Sequence, residues 1–329
     1  ANGNPADART YTVDIRIRKV DPDTLVWTNV SNSFRLPAAI KEQKTLLVGT
    51  KFYTFSIDSD NKFYLYTIDK TATSPSWIKS AATVIPATVK LESIISFNGV
   101  FYAVDASEKA YSSTDGFTWQ ARNNNVRNIL GVLPGKEKAE DSLLVVTKDL
   151  GKYVFAKTSD MQTLQVVKTI SYDQSSNEVP VGFPVEGFTS VTNNDRANLN
   201  RNILAVTAAK SASNLTWSVR QGDGQLEVES NQKNTTFNPF GGIRTFLYDG
   251  YVYALVNKGL LYKTNSFGFK WVEASDKEQF NSDMRAASHQ SVVVDSDNYI
   301  WIFGGISTSV DSSGLPVREV WKGRINRLA

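Results

Sequence analysis

Four arginines stand where they could grip an anion. Arg127 (in Val126-Arg127-Asn128-Ile129-Leu130), Arg244 (in Ile243-Arg244-Thr245-Phe246-Leu247) and Arg285 (in Met284-Arg285-Ala286-Ala287-Ser288) each open a stretch that reads as an inner strand, and Arg35 lies just before another. A guanidinium offers a planar fork of donors that matches carboxylate or sulfate oxygens. Gathered in one place, these side chains would favour carboxylates and sulfated or acidic glycans; taken singly, each has a neighbouring Asp or Glu as an alternative partner. Other chemistry is thinly supplied. The chain has no cysteine, which excludes disulfides, thiolate metal sites and a cysteine nucleophile. Its single histidine, His289, leaves any Ser-His-Asp arrangement only one base and, with no acid–base partner in view, reads as structural. Asp58-Ser59-Asp60-Asn61 and Asp295-Ser296-Asp297-Asn298 carry oxygens suited to calcium, but Asp and Asn are favoured in hairpin turns, and a turn is the reading taken for both. No P-loop, dinucleotide fingerprint, HExxH or nucleophile elbow is present, and no cofactor or metal is expected. The 36 basic and 33 acidic residues are scattered without a basic run, which makes nucleic acid a poor partner.

The elements that must position these residues form a repeat. An apolar strand recurs as Lys51 to Asp58, Val100 to Ala106, Ser142 to Lys148, Asn202 to Lys210, Tyr251 to Asn257 and Tyr299 to Gly305. The spacing, roughly 40 to 60 residues, is that of propeller blades, and near-continuous apolar runs suit strands covered on both faces. Asn98-Gly99 and Asp249-Gly250 mark tight hairpins ahead of two of these runs, because both turn positions require positive φ. A third strand and a short fourth follow most runs, with Trp77, Trp119 and Trp271 on the fourth. The last repeat lacks a fourth strand, and Leu25 to Ser31, with Trp27, supplies one from the N-terminus; pairing the two chain ends in this way leaves no open edge. The expectation is an all-β, six-bladed β-propeller of four-stranded antiparallel blades over residues 21–329, with seven blades as the alternative. The alternation within Thr10 to Val20 reads as a strand outside the ring; it resembles the last strand of the immunoglobulin- or cadherin-like sandwiches that precede other domains, which implies that residues 1–20 are a remnant strand or linker from an upstream immunoglobulin-like domain. Ile40 to Lys44 and Lys136 to Asp141 have helix-like composition and are placed in loops.

Several motifs resemble known families. Ser113-Thr114-Asp115-Gly116-Phe117-Thr118-Trp119 resembles the Asp-box hairpin of sialidase-like propellers, one residue short, and Thr264 to Trp271 resembles it with serine in the aspartate's place. The Asp-box is structural: side-chain oxygens bond turn amides, glycine takes positive φ, and tryptophan packs between blades. The final repeat, with Arg285 to His289, Gly304-Gly305 and Trp321, is similar to kelch blades, in which the double glycine lets sheets approach closely. Phe34-Arg35-Leu36-Pro37 resembles the sialidase Phe-Arg-Ile-Pro motif, whose arginine clamps the substrate carboxylate. The further arginines, tyrosine–glutamate pair and acid/base aspartate of a sialidase are not recognisable in context. The combination resembles the uncharacterised kelch-like propeller domains of Bacteroidetes envelope lipoproteins, and that resemblance implies a surface or periplasmic setting in a Gram-negative bacterium with no activity to carry over.

The functional expectation is a non-catalytic binding or scaffold propeller of the cell envelope. It would present a basic channel mouth built from Arg35, Arg127, Arg244 and Arg285 to an acidic glycan or an envelope protein. The alternative is a sialidase-like glycoside hydrolase acting on acidic sugars. No stretch reaches the 18 or so apolar residues that span a bilayer. A start without methionine fits a chain whose upstream signal or lipid anchor has been removed, and a monomer is expected.

Overall fold

Short, β-branched and aromatic segments separated by Asn-Gly, Asp-Gly and Asp-rich turns fold into antiparallel sheets that stand face to face around a central channel. The computed structural model describes residues 21–326 apart from 84, 87, 169–182, 184–187, 194–201, 208–213, 223–224, 235–241, 257–259, 266–267, 269, 281–282 and 285. Arg285 and Thr10 to Val20 therefore lie outside the described residues.

The first strand, β1 (Leu25–Asn29), is followed by a one-turn helix, α1 (Ser31–Phe34). Then come five sheets in chain order, each with its first strand innermost. They are β2 (Ile40–Val48), β3 (Lys51–Asp58), β4 (Phe63–Asp69) and β5 (Ile78–Ala82); β6 (Ile95–Phe97), β7 (Val100–Val104), β8 (Ala110–Ser113) and β9 (Gln120–Ala121); β10 (Val126–Leu133), β11 (Ser142–Asp149), β12 (Lys152–Thr158) and β13 (Gln165–Lys168); β14 (Phe188–Thr192), β15 (Asn202–Thr207), β16 (Asn214–Gly222) and β17 (Gln225–Asn234); and β18 (Arg244–Tyr248), β19 (Tyr251–Val256), β20 (Leu260–Thr264) and β21 (Val272–Glu273). A further sheet is closed by both chain ends: β23 (Ser291–Val294), β24 (Ile300–Phe303) and β26 (Val320–Ile325) are joined on the outer edge by β1. Leu25 pairs with Ile325 and Asn29 with Trp321, so the N-terminal strand supplies the outer strand that the last repeat lacks. A small two-stranded sheet, β22 (Ala287–Ser288) with β25 (Ile306–Ser307), completes the described strands.

The inner strands pack against one another in the order β2, β6, β10, β14, β18, β23 and back to β2. The architecture is thus an all-β propeller. The hydrophobic clusters lie between successive sheets: Phe55 of β3 meets Phe101 of β7 and Trp119 at ring-centroid distances of 5.3 and 5.8 Å. Phe52, Trp301 and Phe303 join the first sheet to the closing one, with Phe52 centred 4.9 Å from Trp301 and 4.8 Å from Phe303.

Local chemistry explains the turns. Asn98 and Gly99 have φ of 50° and 76°, and Asp249 and Gly250 have 51° and 77°, the paired positive values of a tight hairpin. In the hairpin after β8, Ser113 Oγ donates to Asp115 Oδ1 at 2.8 Å, and the Phe117 and Thr118 amides donate to the same oxygen at 2.8 Å. Gly116 sits at φ 75°, and Trp119 Nε1 closes the turn on its carbonyl at 3.1 Å. The hairpin after β12 repeats this scheme although its sequence hides it. Asp160 Oδ1 accepts from the Gln162 and Thr163 amides at 2.8 and 3.0 Å, and buried Met161, at φ 59°, stands in the glycine's place.

One expectation is corrected. Ile40 to Lys44 is not a loop but the start of β2, bulged between Ile40 and Glu42, because Ile40 and Gln43 are buried against neighbouring sheets and their backbone pairs with β3. Lys136 to Asp141 does lie between strands and contains a short 3-10 turn at Lys138–Glu140.

Candidate functional site

Neighbouring inner strands belong to separate sheets with no backbone ladder between them, so side chains tie them. Between β2 and β23, the Thr45 amide donates to Ser291 Oγ at 2.8 Å, and Ser291 Oγ donates to Gln43 Oε1 at 2.9 Å. Gln43 Nε2 reaches the Phe303 carbonyl at 2.9 Å. Between β14 and β18, the Thr245 amide donates to Thr189 Oγ1 at 3.2 Å, and between β14 and β10, Ser190 Oγ donates to the Leu130 carbonyl. The His289 amide donates to the Gly242 carbonyl at 3.3 Å, linking the entrance of β23 to that of β18. Gly242, at φ 84°, has to be glycine here, since a Cβ would lie 2.7 Å from His289 N and Nδ1.

These ties frame an open cavity of about 630 Å3 at the end of the channel where β6, β14, β18 and β23 begin. Its charged walls are Lys44, Lys90, Glu92 and Arg244, with His289 beside them. Arg244 opens β18, and Glu92 sits in a short 3-10 turn, Leu91–Ser93, just before β6. In the ring β18 and β6 face each other, so the ion pair that Arg244 Nη2 makes with Glu92 Oε1 crosses the mouth. The guanidinium is held from behind by the Gln290 and Ile243 carbonyls, at 2.8 and 3.0 Å from Nε and Nη1. Burial pushes the Glu92 carboxyl up, but Arg244, Lys44 and His289 outweigh it and hold the group below the usual range. Burial lowers Lys44 and His289, Arg244 lowers both further, and Glu92 only partly offsets this. The charged forms of Lys44 and His289 are therefore disfavoured in the mouth, and an added anion would favour them.

The four arginines fare differently. Arg244 lines the cavity. Arg127 stands where β10 is bulged between Val126 and Asn128, and its Nη1 pairs with Glu108 Oε1 at 3.1 Å. That glutamate also accepts from Lys148 Nζ at 3.1 Å and from Tyr153 OH at 3.2 Å. Arg35 is exposed after α1 and does not line the cavity, while Phe34 and Leu36 on either side of it are buried against the closing sheet. Reading strand starts alone missed Lys44 and Glu92; His289, read as structural, makes the backbone tie to Gly242 and also lines the cavity, at φ 56°.

The other candidate groups are engaged in the fold. Asp295 Oδ1 accepts from the Asp297 and Tyr299 amides at 3.0 and 2.9 Å, and its Oδ2 from Trp301 Nε1 at 2.8 Å and Lys70 Nζ at 3.0 Å. Asp58 accepts from Ser56 Oγ at 2.8 Å, Tyr66 OH at 2.6 Å and Lys79 Nζ at 2.8 Å, and burial with this carboxylate pushes Tyr66 up to about 12. Tyr253 OH donates to Glu278 Oε1 at 2.8 Å, with Lys263 Nζ 2.7 Å from the same carboxylate. Burial and Glu278 raise the Tyr253 phenol, which is the reverse of nucleophile activation, and neither residue lines the cavity. Among the described residues no group of three or more His, Asp or Glu side chains is placed to hold a metal ion, and no helix is long and apolar enough to cross a membrane.

Comparison with known proteins agrees with this architecture. The family model described as DUF6242 beta propeller domain matches residues 21–329. A solved structure of YjhT aligns over 87% of this chain and 95% of its own, at a TM-score of 0.52 and 10% identity, which is a likeness of fold. YCF48 bound to D1 peptide (TM-score 0.48, 13% identity, 95% of this chain and 100% of that one) and Bacteroides ovatus Xyloglucan PUL GH43B (TM-score 0.45, 11% identity, 84% and 51%) are looser likenesses and bear no further weight. No curated protein sequence matches the chain.

Proposed function

The chain belongs to the DUF6242 beta propeller domain family, and from that premise we propose that it is a six-bladed, non-catalytic binding propeller of the bacterial cell envelope whose channel mouth takes an anionic ligand, either an acidic glycan or the acidic part of an envelope protein. The six four-stranded sheets support the blade count. The glutamine and glycine contacts at Gly304-Gly305, where added Cβ atoms would meet Leu36 at 2.5 Å and the Ser288 carbonyl at 2.5 Å, support a kelch-like last blade. The Asp115 and Asp160 hairpins support Asp-box-like rims. The binding reading rests on one observation: among the described residues that line the mouth, Lys44, Lys90 and Arg244 outnumber the one carboxylate, Glu92, where several strand ends converge. Of the four arginines expected there, Arg244 carries the proposal. A ligand carboxylate would compete with Glu92 for the Arg244 fork.

The Tyr253–Glu278 pair lends a glycoside hydrolase reading no support, because the Tyr253 phenol is a hydrogen-bond donor with a raised pKa in the wall between two sheets. The surface or periplasmic location and the monomeric state belong to the same proposal. Calorimetric titration with galacturonate oligosaccharides tests it. Binding should weaken with salt, should disappear in Arg244→Glu, and should strengthen as pH falls, because ligand charge restores the lowered pKa values of Lys44 and His289 and draws in protons. Equal binding of the neutral galactose oligosaccharide, or unchanged binding by Arg244→Glu, would refute the charged-mouth reading.

A further inference from the structure

A second cavity of about 430 Å3 opens beside the first, and the two share Lys90, Glu92 and His289 as a common wall. Its character is different. It lies between the start of the first sheet and the β24–β26 connection of the closing sheet, and its walls include Ile40, Ile57, Val89, Leu91, Ile306 and Val317. Gly305, at φ 105°, brings this connection onto β22, so that Ile306 pairs with Ser288 directly before His289. Ile57 and Ile306 are only half-buried, so apolar surface remains uncovered inside a recess on the mouth's rim. Ordinary packing has no need of such a recess, and apolar surface left in a concave site beside a few placed charges is the usual composition of a small-molecule pocket.

From this juxtaposition we infer that the ligand of the mouth is a small amphipathic carboxylate, its acid group held at Arg244 and Lys44 and an apolar arm lying in the second cavity. The inference rests on the anion-binding reading of the mouth and takes a small apolar-tailed acid, in place of a glycan or protein, as the anion. Arg244 and Lys44 line the mouth but not the second cavity, which sets the orientation; the aliphatic walls of the second cavity are interrupted by Lys41 and Glu42. At about 30 Å3 per water-sized group, the second cavity has room for roughly a dozen such groups. A chain of about eight carbons therefore fits without entering the packed core.

The test is a chain-length series. Butyrate, hexanoate and octanoate are titrated into the intact protein alongside octan-1-ol, a galacturonate oligosaccharide and a short peptide ending in leucine. Each added methylene should tighten binding about two- to fourfold, the upper value being full burial of one CH2. Arg244→Gln should lose octanoate and galacturonate together. The double variant Ile57→Thr, Ile306→Thr should flatten the chain-length series while leaving galacturonate binding as in the wild type, a control that also reports a folded mouth. A flat series in the wild type with galacturonate still bound overturns this inference alone. Failure of every acid to bind overturns the anion-binding reading beneath it. Octanol binding as tightly as octanoate, or the peptide binding where octanoate does not, also overturns the inference, the first because the charge is then idle and the second because the ligand is then a protein terminus.

Discussion

The ion pair across the channel mouth can be weighed by a double-mutant cycle on Arg244 and Glu92. The Arg244 side chain is 12% exposed and that of Glu92 48%, so the pair lies between exposed pairs, worth about 0.2–1 kcal/mol, and buried pairs, whose rupture costs about 3–5 kcal/mol. A coupling near 1 kcal/mol is the expected value at low salt. The two partners are unequal in their other bonds. Arg244 also donates to the Gln290 and Ile243 carbonyls, and hydrogen bonds from a charged donor contribute about 1.5–3 kcal/mol each where they are shielded from water. Glu92 has no comparable second anchor among the bonds that hold Arg244. Arg244→Met should therefore destabilise by about 3 kcal/mol, Glu92→Gln by about 1 kcal/mol or less, and the double variant by no more than Arg244→Met alone. Urea unfolding followed by tryptophan fluorescence reads all three, in 50 mM and again in 1 M salt, where the Debye length falls to about 3 Å and the coupling should shrink toward zero. Losses that simply add in the double variant at low salt would show that the two side chains do not act as a pair.

Two further predictions concern the frame that holds the mouth. The carboxylates of Asp115, Asp160 and Asp295 are held below the usual range by amide and side-chain donors, against the upward push of burial. The unfolded chain then takes up protons first as pH falls, so stability should drop from about pH 5 downward through the ordinary aspartate range and below it. Asp295→Asn should flatten that acid limb in urea titrations at pH 3 to 6, and an unchanged limb would exclude Asp295 as a contributor. Gly323 lies on β26 where a Cβ would meet Trp27 Cε3 at 2.4 Å, so Gly323→Ala should displace the Trp27 ring and loosen the N-terminal strand that carries it. Overpacking of this kind costs about 1–3 kcal/mol, and limited proteolysis should cut first near β1; wild-type resistance there would mean that the closing strand tolerates displacement.

How far these features could be read from the sequence follows from the distance over which each is determined. The hairpins at Asn98-Gly99 and Asp249-Gly250 are local, because positive φ at two adjacent positions selects the residues directly. Ring closure by Leu25 to Asn29 was legible as well, since a last repeat without its outer strand and a spare strand at the other end can be matched by counting. The Asp160 hairpin shows where a pattern stops working: Thr158 and Asp160 make the same bonds as Ser113 and Asp115, but Met161 replaces the glycine that would have revealed them. Ile40 to Lys44 misled for a related reason. Its apolar and charged residues alternate imperfectly because the strand is bulged there, and a bulge disturbs the two-residue period by which a strand is recognised.

The mouth is determined at longer range, and that is why strand starts located it only in part. An arginine at the entrance of an inner strand names the face of the propeller but not the direction of its side chain. Arg244 belongs to a regular pairing with Leu255 and reaches the channel, whereas Arg127 is the unpaired extra residue of a bulge and turns to Glu108 on the neighbouring sheet. The decisive partner of Arg244 is 152 residues away and comes from the opposite side of the ring, beside a lysine inside β2. No spacing rule connects three such positions; closure of the ring does. A reader of sequence alone can therefore expect charge at this face, but the identity of the charges that meet, and the apolar recess that adjoins them, are properties of the closed propeller. Lys44, Glu92, Ile57 and Ile306, which the pattern did not single out, therefore offer the sharpest experimental leverage, because each lines the mouth or its annex.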